Sequence, residues 1–473
     1  MKLIYDVNDK PKFGQLIVFA IQQLLAIMTA TLVVPVIIGN EMSPAAALFG
    51  AGIGTLIYIL CTKRKSPVFL GSSFAFIGSM LAAFAGATSM QLGYLGIIIG
   101  AAFAGLVYVL IAIIVKFVGV GWINKLMPAV VIGPTVAIIG LSLAGNAIGD
   151  LTTGSVKVAV ENFVVSSVKD GQPVVEKTTE MVALASPLIT VLCGLITLLI
   201  TVLCSTYGKK SGKLIPFIYG ILGGYIVASI FTVIGNSCDI DALKVIDFSP
   251  FSNLVAGGVS LSTFVQVPDF TFLTAFKGVG ELSGSYISTI AVAYIPVAFV
   301  VFAEHIADHK NISSIIEKDL LEEPGLHRTL LGDGIGSMVG AIFGGCPNTT
   351  YGESVGCVAI TKNASVVTII TTAILAIIVS FVSPFIAFVN SIPSCVMGGV
   401  CMALYGFIAV SGLKMVQDID LNQNKNLFVV STILIAGIGG LTLTFGKITI
   451  TSIASALILG IIVNLLVKNA KED

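Results

Sequence analysis

Charge is scarce in this 473-residue chain: Asp, Glu, Lys and Arg make up 11 % of it. A soluble globular domain carries roughly a quarter. That shortage excludes an ordinary water-soluble globule. The formal net charge is zero, so there is no electrostatic case for nucleic acid or an acidic partner. Metal-ligand spacing is absent too. Eight cysteines at 61, 193, 204, 238, 346, 357, 395 and 401 form no Cys-x-x-Cys pair. Most fall in apolar runs and read as small packing residues. The opening MKLIYDVNDKPKFGQ is polar and lacks a small-residue cleavage site, so no removable signal peptide is expected.

What the chain does have is apolar surface: 56 % hydrophobic residues, a mean hydropathy of +1.02 and fifty glycines. Lipid offers helices no hydrophobic reason to associate, so close approach through small residues matters. The expectation is an all-α polytopic membrane protein of about 14 spans, at ~20 residues per crossing. The apolar segments, numbered 1 to 14, lie near 14–38, 44–61, 68–86, 93–116, 126–149, 184–205, 214–235, 286–308, 327–344, 350–361, 364–390, 394–412, 426–441 and 447–467. Segment 10 is too short to cross as a plain helix, and segment 3 opens on a non-helical-looking GSSF.

Lysine and arginine in the short loops 62–67 (TKRKSP) and 207–213 (YGKKSGK) place those loops in the cytoplasm. Lys2, Lys10, Lys12, Lys468 and Lys471 put both termini there. The connections at 150–183 and 236–285 are then external. The valine-rich alternation of 155–178, with Asp170-Gly171 as a turn, predicts a β-hairpin. The charged 309–328 stretch predicts a short separate cytoplasmic helix.

Pro-x-x-Val-x-Gly recurs at Pro128–Gly133 and Pro393–Gly398, opening segments 5 and 12. An offset of seven spans inverts one copy relative to the other, the pattern of inverted repeats in secondary transporters. Segments 3 and 10 then occupy matching places. Each holds a proline, then glycine and small polar residues, inside an apolar run. Paired interrupted segments are the sequence pointer to a transport site.

Acids inside the segments are costly, at least ~2.5 kcal/mol each at bilayer depth. Glu304 follows a long apolar run in segment 8, and Glu353 lies in segment 10. Either acid could pair with a cation and serve packing, but Lys362 and His309 look interfacial. Intramembrane acids mark transport or proton sites by default. Asp308 shares a helix face with Glu304. His305-Ile-Ala-Asp308-His309 resembles a His-x-x-Glu-His metal motif with Asp for Glu, but no further ligands accompany it. Both histidines read as interfacial or structural. Gln22-Gln23 could bond a neighbouring helix or line a pocket, and Phe74 could pack or stack on a planar ligand.

Five stretches together resemble the nucleobase–ascorbate transporter (nucleobase:cation symporter-2) family, in particular its bacterial uracil permeases. They are QQLLAIMTATLVVPVIIG (22–39), GSSFAFIGSM (71–80), FAEHIADHKNISSIIEKDLLEEPGLHRTLLGDG (302–334), GGCPNTTYGESVGCVAITK (344–362) and SIPSCVMGGVCMALYG (391–406). The resemblance covers nearly the whole chain. It implies two inverted seven-span repeats with short extended segments in broken spans 3 and 10. It further implies a core domain (1–121 and 286–390), a gate domain (122–285 and 391–473) and a homodimer. Function would be proton-coupled uptake of uracil, or of another nucleobase such as xanthine or urate, with no enzyme activity and no cofactor beyond the proton.

By the same resemblance, Glu304 and Glu353 contact the pyrimidine from two sides. Gly352 and Tyr351 form the extended segment beside it, Phe74 covers the ring, and Ala30 is a small pocket residue. Glu304 and Asp308 carry proton coupling. Three departures stand out: Gln22-Gln23 where many relatives have Gln-His, Ser354 where Asn is usual, and Asp308 where some uracil permeases have His. An anion carrier of the related sulfate-permease fold would instead show an unpaired positive feature and no facing acids. A metalloenzyme is the remaining alternative.

Overall fold

The computed structural model describes residues 3–169, 172–417, 419–445 and 448–468. Among them, eight helices are long and apolar enough to cross a membrane: Phe13–Ile38, Pro44–Cys61, Met90–Val118, Ala129–Leu151, Pro187–Tyr207, Pro216–Cys238, Gly284–Ile316 and Ser394–Val416. Four shorter apolar helices, Phe74–Ala85, Val366–Val379, Asn424–Ile438 and Ser452–Val467, fall in segments 3, 11, 13 and 14. The protein is therefore an all-α polytopic membrane protein, with strands, among the described residues, confined to three two-stranded antiparallel pairs.

Two compact units are present. The larger comprises Met1–Ala144, Leu261–Ile386 and Leu404–Asp473. Its centre is the contact between segment 2 (Pro44–Cys61) and segment 9 (Leu326–Gly344). Each carries two glycines four apart, Gly50 with Gly54 and Gly336 with Gly340, so both present a bare stripe. A methyl on Gly54 would lie 2.8 Å from the Gly336 carbonyl oxygen, and one on Gly50 2.7 Å from that of Gly340. Gly50 and Gly54 are needed because the partner backbone nearly touches them, and Gly336 and Gly340 make room for the Leu70 and Asn348 side chains of the strand pair.

Segments 3 and 10 run on this support. Each is half extended and half helical. Leu70–Ser72 pairs antiparallel with Asn348–Thr350, in the register Leu70↔Thr350, Gly71↔Thr349, Ser72↔Asn348. A helix then follows each strand, Ile77–Ala85 after a short turn at Phe74–Phe76, and Gly352–Thr361. Exposed backbone at membrane depth must find partners within the protein. Thr55 Oγ1 accepts from Leu70 N–H at 2.9 Å, the Ser73 N–H donates to Pro347 O at 2.9 Å, and Asn348 Nδ2 donates to Gly50 O at 3.1 Å. The broken segments expected from sequence are thus present, and each strand is held by the other.

The smaller unit comprises Gly145–Ser260 and Ala387–Ala403. Pro187–Tyr207 packs on Pro216–Cys238, where Gly220 and Gly224 receive Thr201 and Thr197. Lys157–Lys169 and Gln172–Ala183 form the expected hairpin; its turn, Asp170-Gly171, lies outside the described residues.

Two local expectations need correction. The 309–328 stretch is not a separate helix after segment 8. One helix runs unbroken from Gly284 to Ile316, 33 residues. That is about 50 Å at 1.5 Å per residue, against a hydrocarbon core of about 30 Å. Ile312 and Ile316 continue its buried face, and Glu317 closes it in the left-handed region at φ 56°. Segment 11 is two helices, Val366–Val379 and Ser383–Ser391, rather than one.

Candidate functional site

The site is built where the strand pair meets segments 1 and 8. On segment 8, Glu304 and Asp308 are one turn apart and face the extended part of segment 10. Thr350 Oγ1 donates to Asp308 Oδ2 at 2.9 Å. A methyl built on Gly352 would lie 3.6 Å from Asp308 Oδ1. Glu304 lies within electrostatic reach of Asp308, Glu353 and Asp333. Its Oε2 is buried with no hydrogen-bond partner among the described residues.

Gly352 opens its helix and is exposed, while Glu304 and Glu353 are half-buried. Glu353 stands in the first turn of that helix. Tyr351 holds extended backbone just before it, at φ −108° and ψ 120°. The first N–H groups of this helix have no intrahelical acceptor and carry the positive end of its dipole. Donors from backbone and acceptors from two carboxyls therefore converge. A neutral planar ligand with alternating N–H and C=O groups matches that set.

Tyr351 is buried, and its hydroxyl donates to Ser72 O at 2.8 Å; its ring fills the space left by Gly71. Phe74 is buried at the start of the segment 3 helix, edge-on to Tyr405 with ring centroids 5.8 Å apart. Ala30 is fully buried on segment 1, beside Thr31, whose carbonyl accepts from Ser72 Oγ at 3.2 Å. The structure thus gathers all the expected site residues around the strand pair. Glu304 and Glu353 are half-buried and Gly352 is exposed, whereas Phe74, Tyr351 and Ala30 are buried.

Both histidines are fully buried rather than interfacial. His305 Nδ1 meets Asp333 Oδ2 at 2.7 Å and its Nε2 meets Thr329 Oγ1 at 2.9 Å. His309 Nδ1 donates to the His305 carbonyl at 2.8 Å, and its Nε2 meets Tyr58 OH at 2.7 Å. All four ring nitrogens are engaged by protein, so the metal motif is occupied otherwise. Among the described residues no cluster of His, Cys, Asp or Glu suits a metal ion.

Sequence reasoning missed Asp333. A lone acid inside the apolar segment 9 meets the same criterion that picked out Glu304. It also missed how two departures from the family pattern belong together. Gln23 Nε2 donates to Ser354 Oγ at 2.6 Å, and the Phe69 N–H donates to the same oxygen at 3.0 Å. Ser354 therefore ties segments 1, 3 and 10 next to Glu353.

Paired broken spans with an acid-lined centre define a secondary-transporter architecture. A permease family model matches residues 14–176 and 174–446, and the chain belongs to that family, the nucleobase–ascorbate transporters of the sequence resemblance. It is a multi-pass membrane permease rather than an enzyme. The uracil permease of Bacillus subtilis (strain 168) is 35 % identical over 100 % of this chain and 97 % of its own length. That of Bacillus caldolyticus is 36 % identical over 98 % and 95 %, and that of Escherichia coli (strain K12) 34 % over 98 % and 93 %. In fold, the transmembrane domain of the cyanobacterial bicarbonate transporter BicA is similar, with TM-score 0.57 and 15 % identity over 98 % of this chain and 99 % of that one. Murine Solute Carrier 26 family member A9, an anion transporter in the inward-facing state, gives TM-score 0.59 at 10 % identity over 98 % and 69 %.

Proposed function

We propose that this permease takes up uracil with a proton across the plasma membrane by alternating access, both termini cytoplasmic. Relatives named uracil permease match it over nearly their whole length, which favours this base. The observation that carries the reading is Glu304 within electrostatic reach of Glu353, with the exposed Gly352 directly before Glu353 in the chain. Carboxyls there accept from the pyrimidine N–H groups, and the Gly352 amide donates to a carbonyl. Phe74 covers one ring face, while Tyr351 and Ala30 set the width of the pocket. A site of this kind rejects analogues that leave its polar groups unpaired.

Glu304 and Asp308 are the coupling groups. Acids crowded at membrane depth without a cation partner hold their places by taking a proton. Loading the proton lets Glu304 donate as well as accept, and substrate and proton then raise each other's affinity. The working arrangement is a homodimer in which a core (1–121 and 286–390) moves against a gate (122–285 and 391–473). No cofactor other than the proton is needed.

The test is labelled uracil uptake into proteoliposomes, with and without an inward proton gradient, for wild type and Glu353→Gln. Gradient-stimulated uptake, with uracil affinity about 10- to 100-fold lower in the variant, is expected from losing hydrogen bonds to a charged group. Uptake indifferent to the gradient removes the coupling. No uracil uptake by folded protein moves the substrate to xanthine or urate, which a competition panel separates.

A further inference from the structure

We propose that Ser66, Tyr58 and His309 form a proton path joining the carboxyl cluster of segment 8 to the cytoplasmic face. This inference rests on the proton-coupling reading above.

The hydrogen bonds themselves set the direction of the chain. The His305 carbonyl can only accept, so His309 Nδ1 carries the hydrogen of that 2.8 Å bond. In the neutral imidazole Nε2 is then an acceptor. Tyr58 OH must donate to it, across 2.7 Å. With its only hydrogen committed, Tyr58 can only accept from Ser66 Oγ, also at 2.7 Å. Ser66 and Tyr58 thus point their hydrogens the same way, inward to His309.

Both ends lie in the right places. Ser66 and Tyr58 are fully buried, yet Ser66 adjoins Lys65, whose side chain is 43 % exposed. Lys65 belongs to the basic 62–67 turn, which the positive-inside rule puts in the cytoplasm. At the inner end, His309 follows Asp308 directly in sequence. Tyr58 is within electrostatic reach of both Asp308 and Asp333. Around the path stand Cys61 on segment 2, Asp333 on segment 9, and His305, whose ring stacks on His309 with centroids 4.0 Å apart. Arg328 Nη1 donates to Cys61 O at 3.4 Å, and Lys65 directly precedes Ser66 in the chain.

The transfer balances as a concerted shift. A solvent proton binds Ser66 Oγ as the Ser66 hydrogen passes to Tyr58 Oη. The Tyr58 hydrogen passes in turn to His309 Nε2, leaving an imidazolium. Loading His309 leaves the Ser66, Tyr58 and His309 Nε2 hydrogens pointing outward; release through the same atoms in reverse restores the inward-pointing chain. A single intervening water would carry the proton on to the Asp308 carboxylate, taking the hydrogen from His309 Nε2 as it gives one of its own to Asp308.

Tyr58→Phe removes one hydroxyl and keeps the ring. His309→Gln keeps a donor and an acceptor but cannot hold the extra proton. Uracil counterflow reads substrate movement without net proton flow. A pH dye inside proteoliposomes reads the proton flux that uracil drives. We expect counterflow within twofold of wild type in at least one variant, with uracil-driven proton flux and concentrative uptake down tenfold or more. Unchanged proton flux in both variants overturns the path. Counterflow and flux lost in parallel in both variants also overturn it, assigning the chain a structural role. A wild type with counterflow but no uracil-linked proton flux overturns the coupling reading, and the path with it.

Discussion

At the residue scale, function depends on a few polar groups that the fold makes expensive to lose. Ser354 shows this. Its hydroxyl accepts from both Gln23 Nε2 and the Phe69 N–H, all of them buried. Ser354→Ala takes this acceptor from the Phe69 N–H and leaves Gln23 only its longer bond to the Ser354 carbonyl, at a cost of about 1–3 kcal/mol. The expected result is a raised uracil KM and a lower unfolding midpoint in detergent, with Ser354→Thr closer to wild type. An unchanged KM in Ser354→Ala would show that Glu353 is positioned without this tie. The sequence exposed Glu304, Glu353 and Asp308 because an acid in an apolar run is visible one residue at a time. The environment of His305 and His309 was invisible, since their partners Asp333, Thr329 and Tyr58 lie far away in the chain.

At the element scale, backbone contact between helices carries the architecture. Gly54→Ala puts a methyl into the Gly336 carbonyl and the Asn348 side chain, which anchors the segment 10 strand. Overpacking of this kind costs about 1–3 kcal/mol, so the unfolding midpoint should fall. Gly356 sits in the segment 10 helix with nothing within 4 Å of a built methyl. Gly356→Ala should hold or raise the midpoint, because alanine favours helix by about 1 kcal/mol over glycine. Equal effects of the two changes, measured side by side, would argue against a close-packed segment 2–9 contact. Element type was legible from apolar period and length, and both broken segments were legible from proline and glycine. The ends were less so: the segment 8 helix outran its apolar run because buried Ile312 and Ile316 kept packing beyond it.

A second element-scale feature is the N-terminal strap. Ile4 N–H donates to Lys362 O at 2.8 Å, Ala364 N–H to Tyr5 O at 2.9 Å and Val366 N–H to Val7 O at 3.0 Å. Lys318 Nζ donates to Asp6 Oδ2 at 2.6 Å. That bond holds the Asp6 carboxyl below its usual range. A depressed value means the contribution is present above the unfolded pKa of about 3.9 and is lost as pH falls through the lower folded value. Exposed pairs are worth about 0–1 kcal/mol, so the effect is local. Protection of the Ile4 and Ala364 amides against hydrogen exchange, corrected for intrinsic rates, should drop between pH 5 and pH 3. It should not drop in Asp6→Asn, which lacks the pair at either pH.

At the scale of the whole molecule, orientation is the property to test. Lysines and arginines gather in the 62–67 loop, and the ion pairs Lys65–Glu323 and Lys318–Asp6 join that loop's surroundings to the N-terminal strap. Those parts of the larger unit therefore share one face. Within the smaller unit the basic 207–213 loop precedes segment 7; with that loop cytoplasmic, the end of segment 7 is external. Cys238, exposed at that end, should react with a membrane-impermeant maleimide applied to intact cells. Cys238→Ser should abolish the signal. Labelling only after the membrane is opened would invert the topology.

By itself the sequence determined a polytopic helical membrane protein, its two interrupted segments, and the acids within them. Those properties are local: hydropathy, residue period and a misplaced charge need no partner to be read. Only the tertiary structure decided which strand satisfies which. It joined Gln23 to Ser354 across 331 positions, buried both histidines, and turned Ser66, Tyr58 and His309 into one chain of hydrogen bonds. A buried polar group must find its partner wherever the fold brings one, and no local pattern records a contact made between distant segments.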